Sequence, residues 1–151
     1  MFRTLMIGAV SALTLSAAAF AQQGGTPQEA RAMLDKAVAA VKADQAVALA
    51  TFIKGEGGFL DRDLYPFCFR NADGKLLVSP KAVKAGTDIR TLKDADGKAY
   101  GEAIYAAGQK SEVAEVRPYL FPKPGPTTPT FPKISFVTKA GELGCGVGYY
   151  K

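Results

Sequence analysis

Histidine is absent from the 151 residues of this chain. The Ser-His and Cys-His pairs that activate nucleophiles are therefore missing, and so is the commonest zinc ligand. Only two cysteines occur, Cys68 and Cys145, without the Cys-x-x-Cys spacing of thioredoxin-like redox proteins. The repeated Ala-Asp-Gly-Lys at 72–75 and 95–98 lacks the spacing of a calcium loop and indicates turns. We expect no enzyme, no metal and no cofactor.

The chain also lacks any block of like charge. Its formal net charge is +5, but the lysines and arginines are scattered along the sequence. A scattered excess is typical of a solvated surface, so nucleic acid is not expected as a partner. A mildly positive domain would nevertheless favour small anions in a pocket.

Long apolar runs are confined to the N-terminus. Arg3 is followed by an alanine-rich apolar stretch, and Ala19-Phe20-Ala21 fits the small-x-small cleavage rule. The sequence therefore predicts a signal peptide over 1–21, cleaved after Ala21, and a periplasmic or secreted protein. An uncleaved anchor is the alternative. We expect a short flexible lead over 22–26 and a single domain over 27–151.

The first part of the predicted domain has two helix starts. Thr26, Pro27 and Glu29 have the spacing of a capping box with proline at the first helical position. Asp44 is placed to cap a second helix that runs to Ile53. An apolar stripe of helical spacing indicates core packing, and it comprises Ala30, Met33, Leu34, Ala37, Val38 and Val41.

Strand patterns dominate the rest of the chain. A hairpin is predicted first, then a proline- and glycine-containing irregular segment, a helix and three strands. The order indicates an α+β fold with an antiparallel sheet and helices on one side. The predicted strands are 64–70, 75–79, 113–121, 134–139 and 145–150, and the helix is 98–109.

Aromatic side chains lie mostly on these strands, and most must form the core. The hydroxyl groups of Tyr65, Tyr119 and Tyr150 need partners if they are buried. Aromatic walls with a few converging polar groups are also what a small-ligand pocket requires.

Two basic residues lie among these aromatics. By strict alternation Arg117, Tyr119 and Phe121 share one face of a strand, and Lys133 shares a face with Ser135. A cation among tyrosines is a suitable carboxylate receptor, because charge-assisted hydrogen bonds strengthen in a low dielectric. The alternative for both cations is an ordinary position facing water, and the sequence leaves both interpretations open.

The two cysteines lie on the first and last predicted strands. A disulfide between Cys68 and Cys145 is feasible if those strands are neighbours. Two buried free thiols are the alternative.

Six sequence segments occur in a recognisable order, namely LYPFCFRNADGK, LLVSP, AGTDIRTLKDADGK, VRPYLFPKPG, PKISFV and GVGYY. In this order the chain resembles the single Cache domain family of type 2, over residues 27–151. Members of that family are PAS-like extracytoplasmic sensor regions of bacterial chemoreceptors and histidine kinases.

The resemblance implies a long N-terminal helix and a five-stranded antiparallel-type sheet. A pocket between the sheet and the helix-and-loop segment would bind small organic acids or similar metabolites. It also implies that the first and last strands are neighbours, which supports the Cys68–Cys145 pairing. The positions that match the family's pocket are Tyr65, Phe67, Tyr119, Phe121, Lys133 and Ser135.

These expectations lead to a soluble periplasmic domain that captures a small carboxylate and signals through a separate membrane histidine kinase or chemoreceptor. Lys133 would pair with the carboxylate, and Tyr65 and Tyr119 would orient it. The alternative is an interaction module with a filled pocket, which would form a homodimer through its N-terminal helix.

Overall fold

A computed structural model describes residues 24–125 and 129–151. The predicted signal peptide over 1–21 lies outside these residues, as does the start of the predicted lead. Within the described ranges, no helix is both long and apolar enough to cross a bilayer.

The described residues form an α+β fold, as predicted. Three α-helices and a short 3-10 helix accompany five strands. The helices are α1 (Pro27–Ala43), α2 (Gln45–Lys54) and α3 (Tyr100–Ala107), with the 3-10 helix at Ile89–Thr91. The strands are β1 (Pro66–Arg70), β2 (Leu76–Val78), β3 (Ala114–Pro122), β4 (Thr130–Ala140) and β5 (Leu143–Tyr150).

The N-terminal helices begin where their capping residues predicted. The Thr26 hydroxyl accepts a hydrogen bond from the Glu29 amide at 3.2 Å, and the Glu29 carboxylate accepts one from the Thr26 amide at 2.8 Å. The Asp44 carboxylate accepts from the Val47 amide at 3.1 Å and caps α2. Helix α2 ends at Gly55, whose φ of 69° favours glycine.

The five strands form one antiparallel sheet in the order β2-β1-β5-β4-β3. Helices α1 and α2 cover one face, and α3 with the 3-10 helix covers the other. The expectation that the helices lie on one side is therefore wrong. Both faces of the central strands are apolar, with Phe67 and Phe69 on one face and Cys68 on the other, so each face needs a cover.

Strand β4 begins earlier than predicted, at Thr130 instead of Ile134. Proline in a strand lacks only a hydrogen-bond donor, and Pro132 lies near the beginning of β4. Its carbonyl still accepts a hydrogen bond from the Lys151 amide at 3.0 Å. The connection between β3 and β4 is therefore shorter than the predicted strand bounds of 113–121 and 134–139 imply.

Strand β5 carries glycine at alternate positions, and this stripe decides how closely the neighbouring side chains approach it. A Cβ atom on Gly144 would lie 2.2 Å from Phe69 Cζ, and one on Gly146 would lie 2.4 Å from Phe67 Cζ. Both distances are far below contact distance. The phenylalanine rings of β1 therefore occupy the space that side chains at 144 and 146 would fill.

The opposite face of the same strand pair carries a disulfide bond. Cys68 of β1 and Cys145 of β5 are direct cross-strand partners, and their sulfur atoms are 2.13 Å apart. Both residues are fully buried beneath α1. The bond joins positions 77 residues apart and so links the two central strands covalently.

Removing this bond should destabilise the protein without touching the other face of the sheet. We expect the Cys68→Ala, Cys145→Ala double variant to lose about 2–4 kcal/mol of unfolding free energy, because a long closed loop is released in the unfolded chain. Urea unfolding of both proteins would measure the loss. Alkylation of both cysteines in wild-type protein denatured without reductant would contradict the disulfide.

Candidate ligand-binding site

A small cavity lies between the sheet and the cover formed by α3, the 3-10 helix and the segment that follows β2. Its volume of about 20 Å³ is room for about one water molecule. The lining is apolar apart from one ammonium group and the tyrosine hydroxyls. It consists of Phe67, Leu76, Pro80, Val83, Ile89, Leu92, Tyr100, Ile104, Tyr119, Phe121 and Lys133.

Lys133 is the buried charge of this site. Its side chain starts from β4, and the residue is only 2% exposed. The Nζ atom donates a hydrogen bond to the Tyr65 hydroxyl at 2.9 Å. It also lies 4.5, 4.8 and 5.2 Å from the ring centroids of Tyr65, Phe121 and Tyr150. The ammonium is thus held in a cage of three aromatic rings.

No carboxylate within the described ranges forms an ion pair with Lys133. Burial lowers the pKa of Lys133 to about 7, and the charge of Asp63 opposes this shift only in part. Each aromatic ring favours the ammonium by about 0.5–2 kcal/mol. Loss of water disfavours it by several kcal/mol, so the direction of the shift follows from burial.

The register of three strands positions the lysine. Tyr119 of β3 and Tyr150 of β5 are the cross-strand partners of Lys133, so the three side chains share one face. Gly148 continues the glycine stripe of β5 at this point. A Cβ atom there would lie 2.3 Å from Lys133 Cε and 2.7 Å from Ser135 Oγ. The lysine stem therefore occupies the space that a side chain at 148 would fill.

A second polar pair lies beside the lysine. The hydroxyls of Tyr119 and Ser135 share a hydrogen bond at 2.7 Å, and both residues are buried. The Tyr119 ring stacks on Tyr100 of α3 with centroids 4.3 Å apart. Burial raises the pKa of Tyr119, and it raises that of Tyr65 as well. Both phenols therefore stay protonated and neutral at physiological pH.

Arg117 differs from its predicted position. A bulge between Val116 and Tyr119 shifts the pairing of β3 with β4. The extra residue breaks the alternation, so Val116 and Tyr119 are buried while Arg117 is exposed. The predicted shared face of Arg117 with Tyr119 and Phe121 is therefore wrong, and Arg117 contributes nothing to the cavity.

The structure brings the six predicted pocket residues together. Four of them line the cavity, namely Phe67, Tyr119, Phe121 and Lys133. The other two lie just outside the lining: Tyr65 is hydrogen-bonded to Lys133, and Ser135 is hydrogen-bonded to Tyr119. That they bind a ligand stays a prediction.

Sequence reasoning missed two aromatic residues of the site. Tyr100 begins α3, and Tyr150 donates a hydrogen bond from its hydroxyl to the Pro122 carbonyl at 2.6 Å. Tyr150 pairs with Lys133, which lies one residue before the predicted start of its strand at 134, so the predicted bounds do not bring the two together. No pattern in the sequence indicates that the start of α3 reaches the sheet at Tyr119.

Three solved structures have a similar fold. A periplasmic sensor domain of a chemotaxis protein is 23% identical, with a TM-score of 0.60, covering 82% of this chain and 88% of that one. A methyl-accepting chemotaxis protein from Vibrio parahaemolyticus is 20% identical, with a TM-score of 0.62 and 82% and 86% covered. A Cache chemosensory domain described for its carboxylic acid recognition is 25% identical, with a TM-score of 0.57 and 82% and 86% covered.

No curated protein sequence matches the chain. The sequence model of the family described as single Cache domain 2, in contrast, matches residues 2–150. That match spans nearly the whole sequence, and the architecture agrees with it. The chain therefore belongs to the single Cache domain 2 family.

Proposed function

We propose that this protein is a periplasmic sensor domain that binds a small organic monocarboxylate beside Lys133. One observation carries the proposal: a buried ammonium that faces the cavity and has no carboxylate partner among the described residues. A buried charge is normally paired, so this position favours an anionic ligand. The Cache domain described for carboxylic acid recognition supports the same ligand class.

In the proposed complex, each polar group of the site has a separate task. Lys133 has three N–H donors, and its hydrogen bond to Tyr65 uses one. The other two can bind the carboxylate oxygens, and such charge-assisted bonds are strong in an apolar cavity. Tyr65 positions the ammonium, and the hydroxyl pair of Tyr119 and Ser135 orients the anion.

The apolar lining would accommodate the remainder of the ligand. Phe67 of β1 and Phe121 of β3 would contact a short hydrocarbon tail. Within the described ranges, the buried polar and charged residues are Lys133, Ser135 and Thr138, and none of them is acidic. A ligand with an ammonium group or a second carboxylate would therefore lack a buried partner there, which favours a monocarboxylate over an amino acid or a dicarboxylate.

The signal would be read by a separate membrane protein, either a histidine kinase or a chemoreceptor. The similarity to sensor domains of chemotaxis proteins supports this type of partner. The predicted signal peptide over 1–21 would deliver the domain to the same compartment.

A second function is favoured by the small size of the cavity. A volume of about 20 Å³ suits an interaction module whose pocket is filled by its own side chains. Contact with another copy would then use the N-terminal helical segment. Its large exposed apolar side chains are Val47 and Ile53 on α2, together with Leu60.

Thermal unfolding with a ligand panel distinguishes the two functions. Acetate and propionate should raise the melting temperature by several degrees, since saturation at a hundredfold excess over Kd is worth about 2.7 kcal/mol. Succinate, alanine and propylamine should raise it less. A melting temperature unchanged by every carboxylate, together with a dimer in sizing experiments, would instead support the interaction module.

Replacing the buried lysine tests the site itself. Lys133→Met should abolish the effect of propionate on the melting temperature, because no cation remains for the carboxylate. The ligand-free variant should be at least as stable as wild type, since an uncompensated buried charge is removed and methionine packs well against aromatic rings.

Lys139→Met is the matched control, because Lys139 lies on the same strand but is exposed. It should respond to propionate like the wild type. A full response in Lys133→Met, or its loss in Lys139→Met, would contradict the assigned site.

A further inference from the structure

The polar groups that contact or line the surroundings of Lys133 are mostly neutral phenols. Phenols face it from the segment before β1 (Tyr65), from β3 (Tyr119) and from β5 (Tyr150), and Tyr100 of α3 lies behind Tyr119. Burial is the main cause that raises the pKa of each of these four phenols. No phenolate is therefore available to balance the lysine.

Asp63 is the carboxylate that acts on Lys133 through its charge, and it is already engaged elsewhere. One of its oxygens accepts a hydrogen bond from the Gly25 amide at 2.7 Å. It forms no ion pair with the lysine, and its residue is partly exposed to solvent. The amino group of Lys133 in the ligand-free site is thus neither solvated nor paired.

We propose that this site, when its buried lysine is neutral, binds a carboxylate together with one proton, so that the species sensed is then in effect the undissociated acid. The inference rests on the proposed function and adds the proton to it. Above about pH 7, Lys133 of the ligand-free site is a neutral amine. A carboxylate that enters converts it to an ammonium, and the two charges cancel inside the cavity.

The balance of this step is simple. The carboxylate anion and one proton from solvent enter, and the proton adds to the lone pair of Lys133 Nζ. No covalent bond other than this N–H bond forms or breaks. The buried site gains no net charge, whereas binding of the anion to a neutral amine, or protonation alone, would leave one charge uncompensated in an apolar layer.

The Tyr65 hydroxyl suits both states of the lysine. A phenol is a donor and an acceptor, so it accepts a hydrogen bond from an ammonium and donates one to a neutral amine. The 2.9 Å contact with Nζ is therefore kept whether or not the proton is present.

Burial also brings the titration of Lys133 close to neutral pH. The pKa of Lys133 is lowered to about 7, and a bound carboxylate would raise it again. Below that pH the lysine already carries its proton, so affinity for the carboxylate should be constant. Above it, affinity should fall about tenfold for each pH unit, because each complex then takes up one proton.

Such a domain would respond to the form of a weak acid that crosses lipid bilayers, since an isolated charge is expensive in a membrane. Its response to the same total acid would be stronger in acidic surroundings.

Calorimetry of the whole protein with propionate tests the coupling. Titrations at pH 5.5 and pH 8.5, each in two buffers of different ionisation heat, count the protons bound. We expect almost none at the lower pH and nearly one at the higher, with affinity at least tenfold weaker at the higher pH. Equal affinity at both pH values without proton uptake would overturn the coupling and leave the proposed carboxylate site standing.

Absence of propionate and acetate binding at both pH values would overturn the proposed function, and the coupling with it. Lys133→Arg provides a variant whose side chain stays charged throughout this range. If it binds propionate, it should do so without proton uptake, and uptake equal to that of wild type would contradict the role of Lys133.

A ligand-free measurement covers the case in which the arginine variant does not fold. The unfolded chain holds the lysine proton up to about pH 10, whereas the folded protein releases it near pH 7. The unfolding free energy of wild type should therefore rise with pH between these values, relative to that of Lys133→Met. Parallel profiles for the two proteins would overturn the neutral-amine state.

Discussion

The ammonium of Lys133 inside an apolar layer is the constraint on which the site depends. It is placed there by the register of β4 with β3 and β5, and its stem fits only because residue 148 is glycine. Three aromatic rings and one hydroxyl surround the charge without neutralising it. Removal from water therefore remains incompletely compensated. In the proposed complex, this energetic deficit is what would attract an anion to the position.

The sheet separates this constraint from the part of the molecule that secures the fold. Its other face is covered by α1 and α2 and contains the Cys68–Cys145 bond. Apolar packing and a covalent link on that side can hold β1 and β5 together while the site side carries a buried charge. Functional sites commonly violate the rules that stabilise the rest of a fold, and such violations require support elsewhere. Here the support lies on the opposite face of the sheet.

Much of the fold could be predicted because its signals are local. Thr26 and Asp44 mark the helix starts. Alternation along the predicted strands places Tyr119 with Phe121, and Lys133 with Ser135, on the buried face. Features that depend on three-dimensional crowding could not be predicted. The bulge beside Arg117, the cover on both sheet faces and the small cavity volume all result from packing between distant segments, and no local pattern encodes them.

The small cavity raises the question of which wall gives way to a ligand. Helix α3 and the 3-10 helix form a rigid wall, since a Cβ atom on Gly101 would lie 1.8 Å from the Ile89 carbonyl oxygen and the Tyr105 hydroxyl bonds the Asn71 carbonyl at 2.7 Å. The sheet is held in place by the hydrogen bonds between its strands. The segment over 80–87 differs, because it covers the cavity only with Pro80 and Val83 and is otherwise largely exposed. Few apolar contacts would be lost if this segment opened, so we expect a ligand to enter at this wall. Opening would break the hydrogen bonds that join Leu76 to residues 86 and 87 and the one that the Ser79 hydroxyl donates to the Val83 carbonyl. The free energy of that opening is subtracted from the affinity of any ligand, which favours ligands small enough to displace Val83 alone.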